Sequence, residues 1–117
     1  MKNYTKIHVL DEARVELHNS LNLSGAEISI NNLTAGASVP FVHSHKQNEE
    51  VYCIVKGSGK VIIDDEEIKL KAGDWLRIAP EAKRQFFASS SEGISYICIQ
   101  TKSNSLEEFT ANDAIIY

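Results

Sequence analysis

The stretch that most constrains this chain runs from Pro40 to Gly57, PFVHSHKQNEEVYCIVKG. His43 and His45 stand two residues apart, so on an extended backbone both imidazoles project from one face. Lys46-Gln47-Asn48 is polar and reads as a turn. The chain then returns through Val51-Tyr52-Cys53-Ile54-Val55, a β-branched and aromatic run closed by Gly57. A glutamate at the start of that return can face the two histidines. Parity selects Glu50, which shares a face with Tyr52 and Ile54, over Glu49, which shares one with Val51 and Cys53. Two imidazoles and one carboxylate from adjacent strands make a facial ligand set for a divalent transition metal, with positions left open.

The rest of the chain is a series of short apolar runs separated by turn residues. Lys6–Leu10 and Val15–His18 read as short strands, and Asn19–Gly25 is turn-rich. Ala26–Leu33 alternates, with Glu27, Ser29 and Asn31 on one face and Ile28, Ile30 and Asn32 on the other, the pattern of a half-buried antiparallel strand. Gly59–Ile63 and Glu66–Leu70 flank Asp64-Asp65 and predict a hairpin. Trp75–Ile78, Gln85–Ala88 and Ile94–Gln100 are further strands. Ser105, with Glu108 three residues on, is the N-cap of an expected helical turn reaching Phe109. Many short strands at close spacing indicate an all-β sandwich or small barrel. The expected organisation is one domain: opening strands and turn over 1–25, the barrel over 26–101, and a tail over 102–117.

Composition narrows the function classes. Lys and Arg total 12 against 16 Asp and Glu, a net charge of −4. That balance argues against nucleic acid or an anionic membrane as partner, since both select basic patches. No apolar run approaches the roughly 20 residues that span a bilayer, and the N-terminus lacks the apolar core of a signal peptide. Cys53 and Cys98 both lie in strand-like apolar runs and read as buried free thiols of a reducing cytosol, which gives a cytoplasmic location.

The Gly36, His43-Ser44-His45, Glu50, Gly57 series resembles the first motif of the cupin superfamily: glycine, a short run, H-x-H, E, six residues, glycine. The run from Gly36 to His43 is one residue longer than that pattern, which predicts a bulge. The resemblance covers roughly residues 26–101. It implies a single-domain jelly-roll barrel of the cupin 2 type and a divalent ion (Fe, Mn, Ni or Zn) on His43, His45 and Glu50. It also implies a small-molecule ligand in the barrel and a homodimer. Val51, Cys53 and Val55 on the outer face suit a subunit contact, as does the apolar end Ile115-Ile116-Tyr117.

The second motif is only partly present. Gly73, Asp74, Ile78 and Pro80 match it, but no histidine stands at the third ligand position. A gapless alignment puts Arg84 there, and a one-residue insertion puts Gln85 there. A guanidinium has no lone pair to offer a metal, whereas a glutamine amide oxygen does. The reading adopted places Gln85 toward the ion and Arg84 away. Tyr52, Ile54 and Phe86 are the expected pocket walls, and Arg84, facing inward instead, is a charge partner for an anionic ligand. The implied function is a metal-dependent enzyme of dioxygenase, isomerase or lyase type, acting on a small oxygen-rich metabolite. No residue is assigned as catalytic, and Glu49 and Tyr52 are the nearest proton donors. The alternative is a non-catalytic binding module, which the missing third histidine favours.

Overall fold

The computed structural model describes residues 2–117 and contains, among them, seven β-strands and no helix. The strands are β1 (Arg14–Glu16), β2 (Glu27–Leu33), β3 (Asn48–Ile63), β4 (Glu66–Lys71), β5 (Trp75–Ile78), β6 (Arg84–Ala88) and β7 (Ile94–Lys102). All pairings are antiparallel. The all-β expectation holds.

β3 organises both layers. The sequence reads as two strands here, but the structure joins them into one of 16 residues. Its first half lies between β7 and β5, and its second half between β4 and β6. The register with β7 slips between Ile54 and Lys56. Ile54 and Val61 are both buried although their positions differ by an odd number, so the slip switches which parity faces inward. Gly57 follows at φ 78°, and a Cβ there would collide with the Gly93 carbonyl. Only glycine fits this bend.

Asp64 and Asp65 form the two-residue β3–β4 turn with φ of 46° and 71°, the left-handed pair that matches strand twist in a tight hairpin. The core lies between the layers, around Tyr52, Ile54, Val61, Ile78, Phe86, Ile94 and Tyr96. Two expectations fail. Lys6–Leu10 forms no strand. The tail has no helical turn at Ser105–Phe109; its turn lies at Thr110–Asp113, where Ala114 N–H bonds the Thr110 carbonyl at 2.9 Å. With no partner element beside them, the flanking segments gain too little burial to offset chain entropy as regular structure.

The first-half sheet, ordered β1-β2-β7-β3, presents an unusual inner face. Ser29 and Asn31 of β2 are buried, at 3% and 5% exposure. Ile28 and Ile30 of the same strand lie on the opposite face and are only half-buried. Register aligns Arg14, Asn31, Tyr96 and Ile54 in one inner row, and Ser29, Cys98 and Tyr52 in the next.

Candidate metal centre and cavity

His43 and His45 approach the sheet from an extended segment held by β6. His43 exchanges backbone hydrogen bonds with Arg84, at 3.1 and 3.0 Å, and His45 N–H bonds the Pro80 carbonyl at 2.7 Å. The bridges on this segment are Ser38↔Phe87 and His43↔Arg84, five residue steps against three on β6. The extra length is absorbed at Val39–Val42, which leaves Phe41 and Val42 exposed. Its ring edge-on to His43, at 5.8 Å, Phe41 forms part of the rim.

The two imidazoles lie edge to face with centroids 5.1 Å apart. Glu50 comes from β3 below them and is 4% exposed. His43 Nε2 is 3.9 Å from Glu50 Oε1, and His45 Nε2 is 3.2 Å from Oε2. One ligand atom from each of the three lies within 4.8 Å of the others. His45 Nε2 is buried yet makes no hydrogen bond of proper geometry, despite its nearness to Oε2. An imidazole nitrogen aimed at a carboxylate without bonding it is the arrangement expected of ligands around a shared ion. Protonation states agree. Burial holds the His43 imidazole below its usual 6.5, against the opposing pull of Glu50. Burial raises the Glu50 carboxyl, but hydrogen bonds from Tyr52 and Cys98 and the charges of His45 and Arg84 outweigh it, so the net shift is down. Neutral imidazole and ionised carboxylate are the forms that ligate a metal, and this donor set fits a divalent ion.

Glu50 is held from several sides. Tyr52 O–H donates to Oε1 at 2.6 Å, and Cys98 S–H to Oε2 at 3.3 Å. Burial, first among several causes, raises both donors' pKa values; the Cys98 thiol is pushed up to about 12. Both therefore stay protonated and act as donors. Four lone-pair directions on a carboxylate leave room for an ion beside them.

Arg84 is the correction to the sequence reading. On β6, Arg84 and Phe86 are buried and Gln85 between them is half-buried. Arg84 is fully buried, with Nη1 3.6 Å from Glu50 Oε1 and Nη2 donating 2.7 Å to the Ala79 carbonyl. Gln85 spends its amide nitrogen on the Val39 carbonyl, at 2.8 Å. The residue expected to turn away thus faces the carboxylate, and the residue expected at the ion also braces the histidine segment through its amide nitrogen. Glu49 is also removed as a proton donor, because it pairs outward with Arg77 at 2.8 Å.

A cavity of about 460 Å³ opens beside the centre. Tyr52 and Phe86 line it as expected, and Gln85 lines it too. Ile54 and Arg84 do not: Ile54 is packed in the core, and Arg84 lies behind Glu50. Tyr52, Phe86 and Tyr96 make an aromatic wall with ring centroids 4.4 to 5.7 Å apart. Sequence reasoning missed the part of the lining on β1 and β2, formed by Arg14, Ser29 and Asn31. The all-polar face of Glu27, Ser29 and Asn31 was its one visible signal.

A family model described as the cupin domain matches residues 30–100. The chain is 60% identical to a cupin protein from Bacteroides fragilis of known crystal structure, over 100% of this chain and 99% of that one, with a TM-score of 0.97. A sugar phosphate isomerase of the cupin superfamily from Silicibacter pomeroyi superposes with a TM-score of 0.67 at 20% identity, over 78% of this chain and 60% of that one. An uncharacterised protein of Methanocaldococcus jannaschii is 28% identical over 61 residues, 52% of this chain and 49% of that protein. The match thus spans about half the length of that relative.

Proposed function

The chain belongs to the cupin family, and from that premise we propose that it is a small metal-dependent enzyme acting on an oxygen-rich metabolite held in the cavity. The observation that carries this reading is the convergence of His43, His45 and Glu50 on one point at the cavity wall. When bound, a divalent ion (Fe, Mn, Ni or Zn) supplies Lewis acidity toward a substrate oxygen, the chemistry of isomerase, lyase or dioxygenase reactions. The chain's own residues do the rest. Tyr52 and Cys98 orient the Glu50 carboxylate. The aromatic wall keeps water from the ligand's body. Arg84, behind Glu50, offsets the carboxylate's charge, so a bound divalent ion would leave the site net positive, which suits an anionic ligand. The isomerase superposition supports the class of fold for such chemistry, no more.

Protein purified without chelator is expected to carry close to one transition-metal ion per chain by elemental analysis. His45→Ala should lose at least about a hundredfold in metal affinity while remaining folded. A wild-type protein that is metal-free and takes up none of the four metals overturns the reading.

One observation favours the alternative, a non-catalytic binding module. Arg84 satisfies Glu50 where the family places a third ligand, so the carboxylate is balanced without a metal. Thermal stabilisation by organic acids, with none by metals, is the outcome that selects it.

We also propose a homodimer in the cytoplasm. Register aligns Val15, Ile30, Ile97, Cys53 and Trp75 in one outward row across five strands. The tail adds Phe109, Ile115, Ile116 and Tyr117, all at least 71% exposed. The Cα radius of gyration is 15.8 Å, against about 13 Å for a compact chain of this length, because the tail stands off its own barrel. Trp75, Phe109 and Tyr117 alone offer roughly 150 to 250 Å² each. With the aliphatic row they approach the roughly 800 Å² per partner of a stable interface. A second copy of the chain suits the face, because the sheet and the tail are each apolar and belong to the same molecule. Light scattering giving a monomer mass at micromolar concentration overturns this. The free thiols Cys53 and Cys98 support the compartment.

A further inference from the structure

We propose that Arg14 is the anion anchor of the cavity, taking one carboxylate of a small ligand with a short apolar middle, whose other, oxygen-bearing end lies at His43, His45 and Glu50. Arg14 belongs to β1, outside the residues that the cupin model matches. Three pairings carry it there: β1 on β2, β2 on β7, β7 on β3. Its Nη1 donates to Asn31 Oδ1 at 2.7 Å, and Asn31 Nδ2 in turn donates to the Ser29 hydroxyl at 3.0 Å. Asn31 and Ser29 are buried on the cavity wall. Arg14 lines the cavity from its exposed rim, where its Nε also lies 3.5 Å from Glu16 Oε1 and its Nη2 makes no hydrogen bond to protein.

Charge count sets the ligand class. Arg14 is the only lysine or arginine on the cavity lining among the described residues. The nearby Glu27 carboxylate is committed to the backbone N–H groups of Leu17 and His18, at 3.2 and 3.0 Å. One guanidinium, whose exposed pairing with Glu16 is weak and exchangeable, matches one carboxylate, whereas a phosphate dianion needs more cationic partners. The aromatic wall between the two ends asks for an apolar body. β1 and β3 are three strand spacings apart, about 14 Å between backbones, so the inward side chains leave room for a short molecule only.

The inference rests on the cavity reading above, and the test separates the two. Malonate, succinate, glutarate and adipate, each against its half-amide, are titrated calorimetrically into cobalt-loaded and chelator-treated protein. At least one diacid is expected to bind about tenfold or more tighter than its half-amide. Arg14→Gln should abolish that preference, and Arg14→Lys should restore part of it, which a merely structural role would not do. Equal affinity for diacid and half-amide in wild-type protein overturns the assignment. So does a preference that survives Arg14→Gln, or no binding by any member of the series. Loss of cobalt uptake with the charge preference intact sinks the metal reading and supports the anchor. Normal cobalt uptake without the preference does the reverse.

Discussion

Within the sheet β1-β2-β7-β3, the β1–β2 side is inverted relative to a soluble sandwich, while the β7–β3 side is not. The inner face carries Arg14, Ser29 and Asn31 on β1 and β2, but Tyr96, Cys98, Tyr52 and Ile54 around Glu50 on β7 and β3. The outer face, where water belongs, carries Val15, Ile28, Ile30, Ile97, Ile99 and Val51. Burying hydroxyl and amide groups is costly unless each is hydrogen-bonded. Ser29 and Asn31 bond each other and Arg14, so the cost is contained rather than absent. A fold seeking stability alone would exchange the two faces of β2. The proposed ligand in the polar interior and the proposed second copy over the apolar exterior would account for the inversion.

Breaking the inner face at its most costly point should have the largest effect. Arg84→Met leaves Glu50 buried beside no cation, and unfolding free energy should fall by about 3 kcal/mol in chelator-treated protein. The same variant should bind cobalt more tightly than wild type, because a repelling charge is gone. A denaturant titration with and without metal reads both; tighter metal binding without any stability loss would contradict the role given to Arg84.

On the outer face, Ile97→Glu should weaken the dimer roughly thirtyfold, about 2 kcal/mol, and leave the monomer folded. Sedimentation against concentration measures it, and an unchanged dimer constant would show that this face is not the contact.

The comparison is sharpest where polarity is exchanged for packing. The double variant Ser29→Ala/Asn31→Leu removes both partners of a buried hydrogen bond. It should be as stable as wild type within about 1 kcal/mol, or more stable, while losing affinity for the diacids. A large loss of stability would mean that the polar interior serves the fold.

The smallest effect is pH. The folded state holds His43 below 6.5 and Glu50 below 4.5. For both groups the unfolded chain binds more protons than the native one just below these values, so stability falls as pH falls. Metal-free protein should show a level Tm above pH 7.5 and a decline of about a few degrees between pH 6.5 and 5. A second decline should follow below pH 4.5. His43→Gln should flatten the first decline and leave the second. An unaltered profile in that variant would remove His43 as its source.

What was legible followed from local geometry. His43, His45 and Glu50 lie within eight residues of one another, and the two-residue period of a strand decides which of them share a face. The Asp64-Asp65 hairpin was equally local. Arg84 and Gln85 could not be separated in this way. Their facing depends on the register of β6 against β3, which the loop before β6 sets. The alternation of β2 was visible, but a period of two does not say which face is inside.

The sequence by itself determined the all-β class, the tight turns and the trio of candidate ligands, because each depends on residues close enough to constrain one another's backbone. The tertiary structure alone decided that Arg84 faces Glu50, that Ile54 belongs to the core, and that Arg14 looks into the cavity. Those outcomes depend on the order in which strands pair, and pairing joins residues whose separation along the chain carries no trace of their separation in space.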